Sequence, residues 1–427
     1  MGFKKLREKT ATPLINSVRF LKKLPFEWKI TAIRSSIFRF LYQMVFPYLS
    51  IFALALGASG TQLGIINSVG MGVAGLIGPF TGWLIDKYDN KRVYLIGIAL
   101  LAISWFIYGI AQNWSIIIIA MLAYWAGYQI SFHSCGVVCG NSLHPEDRVT
   151  AMSLCETIAP GLLGITGPML GASLVAAFGG LNTEGIRPLF FISLIGTIAS
   201  FLLILRYLKR RKYGYYSKSQ IGSPLTTFKM LIQNPNLMKF NIISIVSFLP
   251  MGMILPFSQP FANEVKGANE FVLGTMVTGL AIIPLAFGIP SGKLADRIGR
   301  KKLLYLIAPL FWTSNLFLIW APNSTFLIVA GMLQGFLYIN LVITGAIQFE
   351  LVEPEFMGRW LGIILFFRML VAAATSFLAG LIWDKIGPQY IFLIYIGLDI
   401  FIRIPLLVTL PETLRTKTRA NSNSPTS

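Results

Sequence analysis

Charged side chains inside long apolar runs are the residues of this sequence best placed to do chemistry. Arg39, Glu156 and Arg368 each lie about two helical turns inside such a run. A charge at the centre of a membrane helix costs about 2.5–3.5 kcal/mol, so each is expected to be paired or functional. Two interpretations stay open. Glu156 forms a buried salt bridge with one arginine, or Glu156 exchanges a proton while an arginine binds an acidic or zwitterionic solute.

Uncharged polar side chains in other apolar runs are candidates for contact with the same solute. Their amide, hydroxyl and imidazole groups can hydrogen-bond either a ligand or a neighbouring helix. These candidates are Gln43, Tyr128, His133, Gln334 and Asn340. Asp399 and Arg403 are four residues apart, share a helix face and are expected to form a local pair without a transport role.

The sequence offers no set of residues for covalent catalysis or metal binding. It has 2 histidines and 3 cysteines, and no nucleophile, base and acid at a recognisable spacing. Cys135, Cys139 and Cys155 all fall in apolar runs and are interpreted as small buried hydrophobic residues. We therefore expect no enzyme activity, no cofactor and no metal.

The composition indicates what must hold these residues in place. Of 427 residues 55% are hydrophobic and 12% are charged, whereas a soluble chain is about a quarter charged. A bilayer core needs about 20 apolar residues per helix. With that window the sequence predicts an all-α membrane protein of twelve transmembrane helices.

A polar central stretch divides the predicted helices into two groups of six. The sequence predicts a basic N-terminal segment (1–31), a six-helix half (32–208), a central loop (209–236), a second six-helix half (237–410) and a polar tail (411–427). The apolar run that follows the N-terminal segment lacks the small-residue cleavage pattern of a signal peptide.

The basic residues predict the orientation. Of the 36 Lys and Arg residues, 30 fall on one side of the predicted membrane and 3 on the other. The excess of positive charge marks the cytoplasmic side, so both termini are expected in the cytoplasm, with the chain in the plasma or inner membrane. The net charge of +19 indicates contact with anionic lipids rather than with nucleic acid.

The two halves repeat each other at an offset of 210 residues. Gly64, Gly78, Gly82 and Asp86 correspond to Gly274, Gly288, Gly292 and Asp296. Two such halves, related by an axis along the membrane normal, place a solute site between them near the midplane.

The repeated aspartates lie in a loop motif, Gly292-Lys-Leu-Ala-Asp296-Arg297-Ile-Gly299-Arg300-Lys301. This resembles the loop signature of the major facilitator superfamily, and residues 82–92 form a partial first-half copy. The resemblance implies the twelve-helix fold of that family, with helices one, four, seven and ten lining a cavity. It also implies gating contacts between Asp86 and Arg148 and between Asp296 and Arg359. The candidate gating residues are Gly82, Asp86, Lys87, Arg92, Arg148, Gly292, Asp296, Arg297, Gly299, Arg300 and Arg359.

The resemblance implies a secondary transporter that moves a small solute by alternating access. We expect the protein to work as a monomer. The segment Gly167-Pro168-Met169-Leu170-Gly171-Ala172 is similar to part of an antiporter motif and favours proton-coupled export of drugs or metabolites. The ending Leu410-Pro411-Glu412-Thr413 resembles that of sugar porters. Uptake of sugars or organic anions stays open as an alternative, as does a non-transporting sensor or lipid-handling protein.

Overall fold

The computed structural model describes residues 20, 23–144, 151–152, 154–155, 159–209, 235–351, 354–410 and 412. These residues form helices joined by short turns, and they contain no strand. Eleven helices are long and apolar enough to cross a membrane, and the region of the fifth predicted span is described as shorter helices. The prediction of an all-α, multi-pass membrane protein is confirmed.

The membrane helices are numbered α1 to α12 in chain order, and those made of several consecutive segments keep one number. They are α1 (Phe26–Ala55), α2 (Gly60–Lys87), α3 (Asn90–Ile110), α4 (Trp114–Ser142), α5 (Ala159–Gly164 and Gly167–Ala177), α6 (Thr183–Tyr207), α7 (Pro235–Val246, Leu249–Met253, Leu255–Pro260 and Phe261–Val265), α8 (Glu270–Ile298), α9 (Arg300–Trp320), α10 (Ser324–Gln334 and Phe336–Leu351), α11 (Pro354–Lys385) and α12 (Pro388–Leu398, Asp399–Arg403 and Ile404–Thr409).

Prolines account for breaks in α1 and α7. In α1 the helix tightens over Phe46–Tyr48, around Pro47. In α7, Pro250 and Pro256 each stand at the start of a new segment. Proline has no backbone N–H to donate, and its ring clashes with the preceding turn, so it interrupts the hydrogen-bond ladder. Neighbouring helices in a membrane bundle allow such breaks to persist.

The internal repeat is visible in equivalent hydrogen bonds. Asn113 caps α4 and Asn323 caps α10, each through its side-chain oxygen and two backbone N–H groups. Ser104 in α3 donates to a carbonyl sixteen residues further on at 2.8 Å, and Ser314 in α9 does the same at 2.9 Å. Both pairs are separated by the offset of 210 residues read from the sequence. The two halves therefore fold alike.

The two ends of the bundle differ in how the halves meet. The basic end is the end where α2 meets α3 and α8 meets α9 (residues 88–89 and 299). The far end carries the turns at residues 56–59 and 386–387. Towards the far end one continuous apolar core joins both halves. Nearer the basic end each half has its own separate core. Among the described residues, apolar packing between the halves is therefore most extensive at the far end, and α2 also packs on α11 at mid-depth, where Met71 lies with Ala372 and Ala373.

Candidate functional site

A central cavity of about 230 Å³ lies between the halves. It is lined from both halves, by side chains of α1, α2, α4, α7, α10 and α11. A second cavity of about 140 Å³ adjoins it between α1 and α4 and shares Phe38, Arg39 and Tyr128 with it. The second cavity also reaches Arg34 and Cys135, which lie nearer the basic end. The two adjoining cavities together therefore extend from the middle of the bundle towards the basic end, the second of them along residues of the first half.

Aromatic side chains on α1 and α4 form one wall of the central cavity. The rings of Tyr42 and Tyr124 are stacked with centroids 5.8 Å apart, and those of Tyr124 and Tyr128 with centroids 6.3 Å apart. The ring of Phe38 extends this wall, with its centroid 5.9 Å from that of Tyr128. Tyr338 of α10 lines the same cavity from the other half. Such rings offer broad apolar faces to a flat solute and keep a polar tip for hydrogen bonding.

The described lining residues carry positive charge and no negative charge. Arg39 lies in both cavities and packs against α5, where Gly164 leaves room for its side chain. Within the described part of the chain, no carboxylate lies within salt-bridge distance of it. The predicted partner Glu156 lies outside the described residues. Arg39 is placed where an anionic group of a solute would meet it.

Arg34 is a cavity residue that the sequence analysis missed, because it was counted among the basic residues outside the membrane. It is 4% exposed, and its guanidinium lies 5.0 Å from the ring centre of Phe38 and 5.1 Å from that of Tyr94. Its Nε atom has no hydrogen-bond partner. The signal that could have revealed it is its place five residues before Arg39 within one continuous helix.

Arg368 of α11 is turned towards α7. Its Nε donates to the Ser244 hydroxyl at 3.0 Å, and its Nη2 also contacts that oxygen. The guanidinium lies 5.7 Å from the ring centre of Phe248, and Gln348 of α10 donates to the same Ser244 oxygen at 3.5 Å. Arg368 thus joins α7, α10 and α11 beside the cavity, while Phe248 itself lines it.

The uncharged candidates separate into lining and packing residues. Tyr128 is a lining residue of both cavities. Gln334 is buried and donates to Ser258 of α7 at 2.9 Å, and His133 shares a hydrogen bond with the carbonyl of Gln129 in its own helix. Gln43 is buried against α5. Asn340 is buried with its side-chain carbonyl unpaired.

The far end is closed by α2 packing on α11. At Gly64 a Cβ atom would lie 2.6 Å from the carbonyl oxygen of Ser376, so only glycine permits this approach. Beyond it, the carboxylate of Asp384 accepts the backbone N–H of Gly60 at 2.9 Å and that of Thr61 at 2.7 Å. Asp384 therefore caps α2 from the other half, and its negative charge meets the positive end of the helix dipole.

The repeat places a second closing contact at α5 and α8. Gly274, the counterpart of Gly64, meets the carbonyl oxygen of Pro168 in α5, where a Cβ would lie 2.8 Å away. Nearby, the Tyr48 hydroxyl of α1 donates to the carbonyl of Glu270 at 3.1 Å. Both closing contacts join one half to the other, so the far end is sealed symmetrically.

The candidate gating residues belong to the basic end, and the structure describes some of these residues. Asp296 lies 3.9 Å from Arg300, one turn further along the chain. Gly299 has φ +103°, a backbone angle that favours glycine. Lys87, Arg92 and Arg297 are exposed. Gly82 and Gly292 lie in α2 and α8. Arg148 and the side chains of Asp86 and Arg359 lie outside the described residues, so the two predicted gating contacts stay predictions.

Glu412 adds a contact at the basic end. Its carboxylate accepts the backbone N–H of Arg300 at 3.1 Å, at the first turn of α9. Lys301 donates to two carbonyls at the end of α12, both at 2.7 Å. The tail residue and the motif lysine therefore tie α9 to α12 within the second half.

The charged residues of α12 form the local pair expected from their spacing. Arg403 forms a two-pronged salt bridge with Asp399, with the second bond at 2.8 Å, and both are buried. Trp312 of α9 donates to the same carboxylate at 2.6 Å, and Tyr395 donates at 3.3 Å. The carboxylate is satisfied inside the second half and is not among the residues lining the cavities.

Comparison with known proteins agrees with this architecture. The family model described as Major Facilitator Superfamily matches residues 32–249 and 240–426. The chain belongs to the major facilitator superfamily. Membership confirms the family resemblance seen in the sequence and the expectation of a transporter-type protein rather than an enzyme.

Relatives of this chain include proteins named multidrug resistance protein MdtG. The protein of Dickeya zeae (strain Ech586) is 24% identical over 276 residues, which are 62% of this chain and 64% of that protein. The protein of Citrobacter koseri (strain ATCC BAA-895 / CDC 4225-83 / SGSC4696) is 26% identical over 277 residues, again 62% of this chain and 64% of that protein. The matched part thus spans just under two thirds of these relatives.

Solved structures share the fold at low sequence identity. The nucleoside transporter NupG has a TM-score of 0.74 and 15% identity, covering 90% of this chain and 99% of that one. A bacterial homologue of the lysosomal transporter Spinster, described as inward-facing and unoccupied, has a TM-score of 0.66 and 14% identity, covering 94% of this chain and 98% of that one.

Proposed function

We propose that this protein is a secondary transporter that exports amphipathic aromatic compounds bearing an acidic group. The observation that carries the proposal is the cavity between the halves, with stacked aromatic rings on one wall and Arg39 beside them. The rings would hold the flat apolar part of a solute, and the guanidinium would bind its carboxylate, sulfonate or phosphate.

Export is favoured over uptake by the relatives, which carry the name multidrug resistance protein. Because the positive-inside rule assigns the basic end to the cytoplasm, the cavity extends towards the cytoplasm. The far end is closed by Gly64 and Asp384. An exporter in this state can bind its solute from the cytoplasmic side of the plasma or inner membrane.

Alternating access would then require the far-end contacts to break and the basic end to close. The predicted gating contacts Asp86–Arg148 and Asp296–Arg359 are the candidates for closing the basic end. In this scheme protons drive the cycle and Glu156 is the residue that exchanges them. The working unit is a monomer, and its basic end faces anionic lipid headgroups.

Uptake into energised inside-out vesicles tests the proposal. Fluorescent aromatic acids should accumulate in vesicles that contain the protein, and an uncoupler should abolish the accumulation. A hydrogen bond to a charged group contributes about 1.5–3 kcal/mol, so Arg39→Gln should lower accumulation about tenfold or more. Arg206→Gln is the matched control, since Arg206 is exposed at the end of α6, and it should transport normally.

Two results would reject the proposal. One is that wild-type vesicles accumulate no aromatic acid, while the protein is folded and correctly inserted. The other is that Arg39→Gln transports aromatic acids as well as the wild type does. Coupling has its own test, because Glu156→Gln should retain solute binding but lose the dependence of transport on the proton gradient.

A further inference from the structure

The three cysteines of this chain come together in space. Cys135 and Cys139 lie on α4, and Cys155 comes from the segment that precedes α5. Their sulfur atoms all lie within 4.8 Å of one another, and those of Cys139 and Cys155 are 2.8 Å apart. The side chains are buried, at 5%, 0% and 0% exposed, and none is in a disulfide. Sequence spacing linked only the first two and gave no reason to expect the third.

The cluster is connected to the cavity on one side. Cys135 lines the smaller cavity together with Ser35 and Arg34, and its sulfur lies 3.2 Å from the Ser35 hydroxyl. A small molecule that enters from the basic end therefore reaches one thiol first, with the other two behind it.

We propose that this cluster is a binding site for a trivalent metalloid hydroxide, arsenic or antimony, held by all three sulfurs. Sulfur ligands of this kind select soft, thiophilic ions. Structural zinc sites almost always take four ligands, whereas a trivalent metalloid completes a pyramid with three. The three thiols of the cluster match the number of ligands that a trivalent metalloid takes.

The reaction balances without an oxidant or a reductant. Each thiol gives its proton to one hydroxide of the metalloid, three sulfur–metalloid bonds form, three oxygen–metalloid bonds break, and three water molecules leave. The adduct has no net charge. A buried site favours that outcome, because an unpaired charge away from water is costly.

The charges along the access route point to the same ligand. Arg34 and Arg39 both line the smaller cavity, and the Nε of the buried Arg34 has no hydrogen-bond partner. These guanidinium groups oppose the entry of Zn²⁺ or Cu⁺ by like-charge repulsion. An uncharged trihydroxide meets no such barrier, and its oxygens can accept hydrogen bonds from Arg34 on the way.

The test uses the purified full chain under reducing conditions. The protein is incubated with arsenite, desalted, and analysed for arsenic per chain, with the ultraviolet absorption of arsenic–sulfur bonds as a second readout. Because the sequence has 3 cysteines and all lie in the cluster, any thiol-dependent binding reports on this site. One arsenic per chain is expected in the wild type.

Single substitutions test the requirement for three sulfurs. Cys135→Ser, Cys139→Ser and Cys155→Ser should each reduce retained arsenic at least tenfold. Ser134→Ala, a change at a buried neighbour on the same helix, should retain one arsenic per chain. If a buried cysteine variant does not yield folded protein, Cys135→Ser on the cavity side carries the same test, with thermal unfolding as the check on folding.

Three results would overturn the proposal. Reduced wild-type protein with three titratable thiols could retain no arsenic. The cysteine variants could retain as much arsenic as the wild type. Zn²⁺ or Cu⁺ could be retained in preference to arsenite, which would identify a cation site instead. None of these readouts depends on transport, so the test stands apart from that of the proposed function.

Discussion

Asp384 is the residue whose replacement should most directly loosen the far-end seal. It lies in the second half, yet it accepts two backbone N–H groups at the start of α2 in the first half, at 2.9 and 2.7 Å. Asp384→Asn keeps one oxygen acceptor and loses both the second acceptor and the charge. Because these bonds join the two halves at the closed end, their loss should favour the conformation in which that end is open.

The expected size of the effect follows from the geometry. Hydrogen bonds to a charged group contribute about 1.5–3 kcal/mol, and a charge at a helix N-terminus about 0.3–1 kcal/mol. Asp384 is exposed, so solvent screening places it at the low end. A net loss of about 1 kcal/mol shifts the ratio of closed to open far ends about fivefold, since 1.4 kcal/mol is tenfold.

Pulsed electron paramagnetic resonance can measure this shift. Spin labels at Gln112 and Pro322, exposed in far-end turns of the two halves, would be introduced into a chain whose native cysteines are replaced. Asp384→Asn should increase the population with the longer label distance about fivefold. Glu184→Gln is the matched control: it removes one negative charge at the same end from an exposed residue of α6.

The control should leave the distance distribution close to that of the wild type. An unchanged distribution in Asp384→Asn would refute the reasoning, because the cap would then contribute nothing to closure. An equal shift in Glu184→Gln would refute it as well, since the effect would come from net charge at the far end rather than from the cap.

Further substitutions test other parts of the account. Gly64→Ala places a Cβ 2.6 Å from a carbonyl oxygen of α11, so it should reduce transport in the vesicle assay and open the far end. Gly72→Ala is its control, since nothing lies within 4 Å of the added Cβ, and it should transport normally. Asp399→Asn leaves the buried Arg403 without its charged partner and should cost about 3–5 kcal/mol of stability, seen as a lower unfolding temperature; an unchanged temperature would contradict the buried pair. Glu412→Gln weakens the cap at the start of α9 and should cost about 1 kcal/mol, with faster hydrogen exchange of that first turn and no change at α3.

Apolar run length and the repeated motif predicted the architecture, because both are local properties of the sequence. A bilayer imposes a minimum helix length, so composition alone was enough to identify the membrane helices. The offset of 210 residues between Asn113 and Asn323 recurs in their capping hydrogen bonds. The first helix begins at Phe26, directly after Pro25 and ahead of the apolar run from residue 32, and its first turns are buried through Trp28 and Ile30.

The candidate site was predictable only in part, because its partners come from distant segments. Arg39 was identified from its depth in an apolar run, whereas nothing local shows that its neighbours are the rings of Tyr42 and Tyr124. The sequence analysis did not single out Asp384, because its role depends on the start of α2, more than three hundred residues away. The cysteine cluster needs Cys155 beside α4, which only the packing of helices provides.

Charge movement across a solid-supported membrane carrying the reconstituted protein tests the central claim most directly. Aromatic acids, aromatic cations and sugars would be applied in turn, with and without a pH step, to the wild type, Arg39→Gln and Arg206→Gln. We predict currents for aromatic acids that depend on the pH step, that fall about tenfold or more in Arg39→Gln and that persist in Arg206→Gln. Currents for sugars or cations with none for aromatic acids, or equal currents in all three proteins, would contradict the account.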